Sequence, residues 1–181
     1  MGKFKLEKIE TNNALIGQNG TRTQLEWIKR QLEYSSFSER YLLRYDLKRG
    51  EIYEIDWGLN VNAEFSNRHF GVVLADSDAF NPLVTVCPLK SKHGFSNPKS
   101  DIDLGIIKEL GTSSATVAVI NQTRTIDKLR IYLRRAIGKR NKEQLSDPSE
   151  EENYVIYRLE NDKLDTLIKA YINYISGKIE A

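Results

Sequence analysis

Between residues 51 and 57 the chain alternates, Glu-Ile-Tyr-Glu-Ile-Asp-Trp, and this period of two predicts a half-buried strand that Gly58 ends. A polar stretch over residues 59–69 reads as a loop. Two apolar runs follow, residues 70–75 and 83–89, and both predict interior strands, joined through Asp76-Ser-Asp78 and Asn81-Pro82. Residues 115–120 predict another strand, residues 132–137 a further one, and residues 100–104 a short one. Helical spacing governs the two ends. Leu25, Ile28 and Leu32 recur from Thr23 onward, supported by Trp27, and Ser36 with Glu39 forms a capping box for a second helix carrying Tyr41, Leu42 and Tyr45. Near the other end Leu164, Leu167, Ile168, Tyr171, Ile172 and Ile175 form one stripe, which Gly177 stops. Residues 1–20 are polar, with turn signals at Asn12-Asn13 and over 17–20, and the chain from Asn141 reads as helical with a break at 146–149. The pattern predicts a small antiparallel sheet or barrel, mainly β within an α+β class. A helical extension over residues 1–47 precedes it, as a strut against the barrel or a dimer partner, and residues 48–181 hold the barrel and a final helix.

Composition narrows this picture. At 181 residues with 40% hydrophobic side chains, the chain can bury a core as one domain with an appendage. No run approaches the roughly 18 apolar residues of a membrane span, and the first ten residues lack an apolar signal region, so a cytoplasmic protein without membrane contact is expected. Leu6 stands where an N-myristoylation signal needs Ser or Thr. Cys87 is the only cysteine, which excludes an internal disulfide and a thiolate metal cage; flanked by Val86 and Pro88, it reads as a small buried hydrophobe. The net charge of +2 is uninformative, but residues 112–140 hold seven Lys/Arg against Asp127 alone, while residues 141–181 hold five basic against nine acidic side chains. The first segment suggests a polyanion-facing surface and the second a solvated acidic helix.

The loop over 59–69 gathers Glu64, Asn67, Arg68 and His69 at a strand end, where functional groups concentrate. No phosphate-binding P-loop, H-E-x-x-H, G-x-S-x-G or clustered metal-ligand set appears, so no metal or cofactor is expected. Five motifs in order carry a resemblance: Arg49-Gly-Glu-Ile-Tyr53, the Glu64/Arg68 loop, Gly71-Val-Val-Leu74, Thr85-Val-Cys-Pro-Leu89 and Gln122-Thr-Arg-Thr-Ile-Asp127. Together they resemble the MazF/PemK toxins of bacterial toxin-antitoxin systems. The likeness covers roughly residues 48–145 and the final helix. It implies an SH3-like barrel, a homodimer, and a metal-independent endoribonuclease that cuts single-stranded mRNA at short sequences, leaving a 2′,3′-cyclic phosphate and a 5′-hydroxyl. It also implies a protein antitoxin, usually acidic and partly disordered, that occludes the RNA groove.

Metal-free RNA cleavage uses the ribose 2′-hydroxyl as nucleophile, so the protein supplies a base, an acid and positive charge for the transition state. Arg68 matches the family's loop arginine, and its permanently charged, planar guanidinium suits a phosphate clamp. Glu64 matches the loop glutamate and is a base or an orienting partner for Arg68. His69 stands where the family commonly has proline and offers an imidazole with an ordinary pKa of about 6.5. After the Pro-Leu strand end the family places Thr and Ser; here Lys90 offers a point charge and Ser91 the hydroxyl. Some members carry a carboxylate before the Gln122 position, whereas Asn121 cannot take a proton, which leaves Glu64 or His69 as base. Trp57, Phe65 and Phe95 are candidate stacking platforms for bases, and Gln122 and Arg124 face the groove or the dimer seam. The Lys90 and Asn121 departures also fit an alternative, a non-catalytic module on the same barrel that binds RNA or protein or poisons a topoisomerase. A third reading is a dimeric scaffold built on the terminal helices.

Overall fold

The computed structural model describes residues 18–36, 46–60, 63–93, 96–132 and 157–178. The chain divides into two compact units, Met1–Tyr41 and Leu42–Ala181. In the first, helix α1 spans Gln18–Ser36 and so begins inside the stretch whose Gly17-Gln-Asn-Gly20 pattern predicts a turn. Leu25, Ile28 and Leu32 lie along one exposed stripe of α1, and the Arg30 guanidinium sits 5.6 Å from the Trp27 ring. The second helix expected from Ser36, Phe95, the four arginines and lysines between 134 and 140, and the helix expected from Asn141 lie outside the described residues.

Among the described residues, the second unit holds an antiparallel sheet of eight strands. They are β1 (Glu51–Asp56), β2 (Arg68–Val73), β3 (Leu83–Ser91), β4 (Asp101–Asp103), β5 (Thr116–Val119), β6 (Arg124–Asp127), β7 (Ile131–Tyr132) and β8 (Tyr157–Arg158). Their order is β4-β5-β3-β2-β1-β7, with β6 also paired to β3 and β8 to β1. Helix α2 spans Asn161–Ile175. The class is therefore mainly β with α+β character.

Successive side chains of a strand point to opposite faces, and here both faces are covered. Ile52, Val72, Cys87, Leu89 and Ala118 join Leu159, Leu164 and Leu167 in one cluster, under α2. Tyr53, Ile55, Trp57, Val73, Val84, Val86, Ile126 and Ile131 form a second, around which β1, β2, β3, β6 and β7 wrap as a small barrel. The alternation of β1 predicted one buried face, but five of its six residues are buried, Glu51 and Asp56 among them. The difference lies on both faces: Ile52 is covered by Leu159, Leu164 and Leu167 on one, and Glu51 shares the parity of Tyr53 and Ile55 on the face the barrel encloses. Glu51 is accommodated by the Tyr53 hydroxyl, which donates to its carboxylate at 2.9 Å, and by the Lys48 N–H at 2.7 Å.

The long strand β3 changes partners midway, pairing with β6 over Leu83–Val86 and with β5 over Leu89–Ser91. Cys87 and Pro88 occupy the corner, where a proline without an N–H leaves no ladder donor wasted. Helix α2 ends in a Schellman motif: Gly177, at φ 69°, donates to the Tyr174 carbonyl, and Lys178 donates to that of Asn173. Among the described residues no helix is long and apolar enough to cross a membrane.

Candidate active site

The connection from β1 to β2 is a tied loop. Its neck is closed by Trp57 N donating to the Asn67 carbonyl at 2.8 Å and Asn67 N donating to the Gly58 carbonyl at 2.6 Å. Asn67 sits in the left-handed region at φ 65°, which Asn tolerates better than most residues. Asn60 bridges the interior by donating to the carbonyls of Trp57 and Phe65. Gln122 fastens the far side, accepting from Phe65 N at 2.9 Å and donating to the Ala63 carbonyl at 3.0 Å. Arg124 completes the fastening. Its Nη2 donates to the Trp57 carbonyl at 2.7 Å, and its guanidinium lies 5.0 Å from the Trp57 ring. Burial, then the charge on Arg130, lower the pKa of Arg124, while the Glu64 carboxylate works the other way.

Several expected RNA contacts are thus committed to the loop itself. Trp57, expected as a stacking platform, is 1% exposed; its indole N–H donates to the His69 carbonyl at 3.2 Å and its ring meets Phe65 edge-on. It is a core residue, because it lies on the face of β1 that the barrel encloses. Phe65 is half-buried between Trp57 and His69. Gln122 and Arg124 hold backbone rather than face open solvent. Asn67 contributes its backbone conformation.

Arg68 and His69 were expected on the loop, and the structure makes them the first two residues of β2, opposite Asp56 and Ile55. Strand parity then separates them. The His69 ring packs at 4.8 Å against Phe65, and burial lowers its pKa below the ordinary histidine value. Arg68 points to the other face, shared with Glu54, Phe70 and Tyr132, since Glu54 is the cross-strand partner of both Phe70 and Tyr132. There the Arg68 Nε lies 4.0 Å from Glu54 Oε1, and the guanidinium stacks 3.9 Å from the Tyr132 ring.

Beside Arg68 opens a cleft of about 220 Å³. Glu54, Arg68 and Phe70 form one wall; Ser91, Thr112 and Thr116 form the other, with Ser91 directly across from Thr116 in the β3–β5 register. Leu89 and Leu110 floor it, and His69 and Lys90 border it. Lys90 is held away by a 2.8 Å ion pair with Asp101. Burial opposes the charge on Asp101, but hydrogen bonds from Lys90, Asn97 N and Ser96 outweigh it and lower its pKa. Glu64 is not among the residues lining the cleft; its charge acts on Arg124. The structure therefore brings together Arg68 and Ser91, adds Glu54, Tyr132, Thr112 and Thr116, and sets Trp57, Phe65, Gln122 and Arg124 behind them. The sequence holds a faint signal for Glu54, a second acid in a strand where aliphatic residues alternate with polar ones.

With Arg68 and Ser91 lining one cleft on a small barrel, a family model matches residues 48–149, more than half of the chain: PemK-like, MazF-like toxin of type II toxin-antitoxin system. The chain belongs to this toxin family. Among solved structures, MazF from Deinococcus radiodurans is similar at 15% identity over 74% of this chain and 98% of that one, with a TM-score of 0.47. No curated protein matches in sequence. For a MazF-like toxin, the matched span takes in all the described residues of the cleft and of the tied loop, and leaves α1 and α2 outside.

Proposed function

We propose that this toxin is a metal-independent endoribonuclease that cuts single-stranded mRNA at short sequences in the cytoplasm, acts as a homodimer, and is neutralised by a protein antitoxin. Residues 48–181 carry the activity and residues 1–47 are a helical extension. The observation that carries the reading is the placement of Arg68 and Ser91 on two walls of one open cleft. The guanidinium grips two phosphate oxygens and offsets the charge that builds as the 2′-hydroxyl attacks. Ser91 donates a hydrogen bond to the same phosphate. His69 borders the cleft, with its ring turned against Phe65 and its pKa lowered by burial. Glu64 lies outside the cleft lining, and its carboxylate charge acts on Arg124, which fastens the loop.

Incubating the purified chain with a long single-stranded RNA in excess chelator tests this reading. Discrete fragments ending in 2′,3′-cyclic phosphate are expected, and Arg68→Ala should slow their formation by about 10²–10³-fold. Equal cleavage by both proteins would remove Arg68 from the mechanism. The Lys90–Asp101 ion pair and the unprotonatable Asn121 favour a second reading, a module that binds without cutting. Intact RNA, bound in a salt-dependent manner, is its signature.

A further inference from the structure

Cleavage through a 2′-hydroxyl needs a group that takes its proton, and Asn121 cannot be that group. The cleft itself offers one carboxylate. Among the described residues that line it, Glu54 is the only acid. Its place follows from the sheet: Ile52, Glu54 and Asp56 share the outer face of β1, and the registers with β2 and β7 bring Arg68, Phe70 and Tyr132 to that same face. The Glu54 side chain is 20% exposed, reachable from the cleft, and its Oε1 lies 4.0 Å from Arg68 Nε. The His69 ring, the other proton acceptor at the border, turns against Phe65 on the opposite face.

We propose that Glu54 is the general base of the reaction, accepting the proton of the ribose 2′-hydroxyl while Arg68, braced on Tyr132, holds the adjoining phosphate. The assignment rests on the endoribonuclease reading above. In the step, the Glu54 carboxylate takes the 2′-hydroxyl proton, O2′ bonds to phosphorus, and the P–O5′ bond breaks. The departing 5′ oxygen takes a proton from water, and the hydroxide so formed is neutralised by the proton that Glu54 then releases. A carboxylate beside a phosphate clamp is the arrangement the chemistry requires: the 2′-oxygen and the phosphate it attacks are neighbours on one ribose, so base and clamp must be neighbours too. Among the described residues, the charged and titratable groups that share the face of Glu54 or line the cleft beside it are Asp56 on β1, Arg68 on β2, Tyr132 on β7 and Lys90 on β3, with His69 at the border and its ring turned away.

The test compares wild type, Glu54→Gln and Glu54→Asp on RNA oligonucleotides that span a mapped cut site. Glu54→Gln should lose about 10²–10⁴-fold in kcat, the usual worth of a positioned base, and should lose the fall in rate on the acidic side of the pH profile. Glu54→Asp should recover part of the rate together with that acidic limb. All three should bind a 2′-O-methyl version of the oligonucleotide, which lacks the nucleophile, equally tightly, and this separates chemistry from a disturbed Arg68. If the wild type cleaves and Glu54→Gln cleaves as fast with an unchanged pH profile, the assignment is overturned and the nuclease reading stands. A loss of analogue binding in Glu54→Gln would equally overturn it in favour of a positioning role. Wild-type protein that leaves the RNA intact overturns both.

Discussion

Gly71 sits in β2 where no side chain fits. A Cβ there would lie 2.6 Å from Ile55 Cδ1 and 2.8 Å from Trp57 Cζ2, with the Cys87 carbonyl at 3.3 Å. The close approach leaves room for the Trp57 indole, whose N–H reaches the His69 carbonyl. Gly71→Ala should therefore cost about 1–3 kcal/mol by overpacking, read as a lower urea midpoint; an unchanged midpoint would mean that the indole can shift without loss. Legibility in the sequence divides the site residues along similar lines. Arg68 and Ser91 were visible because each ends or begins a strand with a recognisable motif around it. Glu54 left only a faint signal and Tyr132 none, since residues 54, 68 and 132 meet only through the pairing of three strands distant in sequence. Trp57, one of three candidate platforms, is a core residue, since it shares the parity of Tyr53 and Ile55 on the enclosed face.

The long, strongly patterned elements were plain in the sequence. Strands β1, β2, β3 and β5 and helix α2 fall where their hydrophobic periods put them, and the final helix stops at Gly177. The two-residue β8 gives no period at all, and β6 is paired along Leu83–Val86 of β3. Helix α2 shows what its stripe is for. Leu167 is fully buried and Leu164 nearly so, packed over the outer face of the sheet with Ile52, Val72 and Leu159. Leu167→Ala should remove about 2–5 kcal/mol, measured as a drop in denaturant midpoint with little change in slope. Because the cleft continues along the same face, through Phe70, Leu89 and Leu110, the variant should also lose activity at temperatures below its melting point. Parity is the link: Ile52 and Val72 under the helix and Glu54 and Phe70 in the cleft lie two residues apart on the same face of the same strands.

At the scale of the whole molecule, the hydrophobic clusters draw, among the described residues, on nothing before Leu47. A chain begun at Leu42 should then unfold cooperatively with a midpoint close to that of the full protein, and a broad, non-cooperative melt would assign residues 1–41 a part in the fold. The basic segment over 112–140 reads differently once folded. Its described cations are drawn inward: Arg124 to the Trp57 carbonyl, Lys128 to that of Asp78 at 2.6 Å, and Arg130 toward that of Asp56. A positive run in a sequence can thus be scaffolding for a loop rather than a landing strip for phosphates. The two tryptophans, finally, fall one to each unit, Trp27 half-buried on α1 and Trp57 sealed in the barrel. Each half of the protein consequently carries its own fluorophore. A collisional quencher in the solvent reaches the first and spares the second, so the emission colour of one unlabelled sample reports separately on the appendage and on the toxin body.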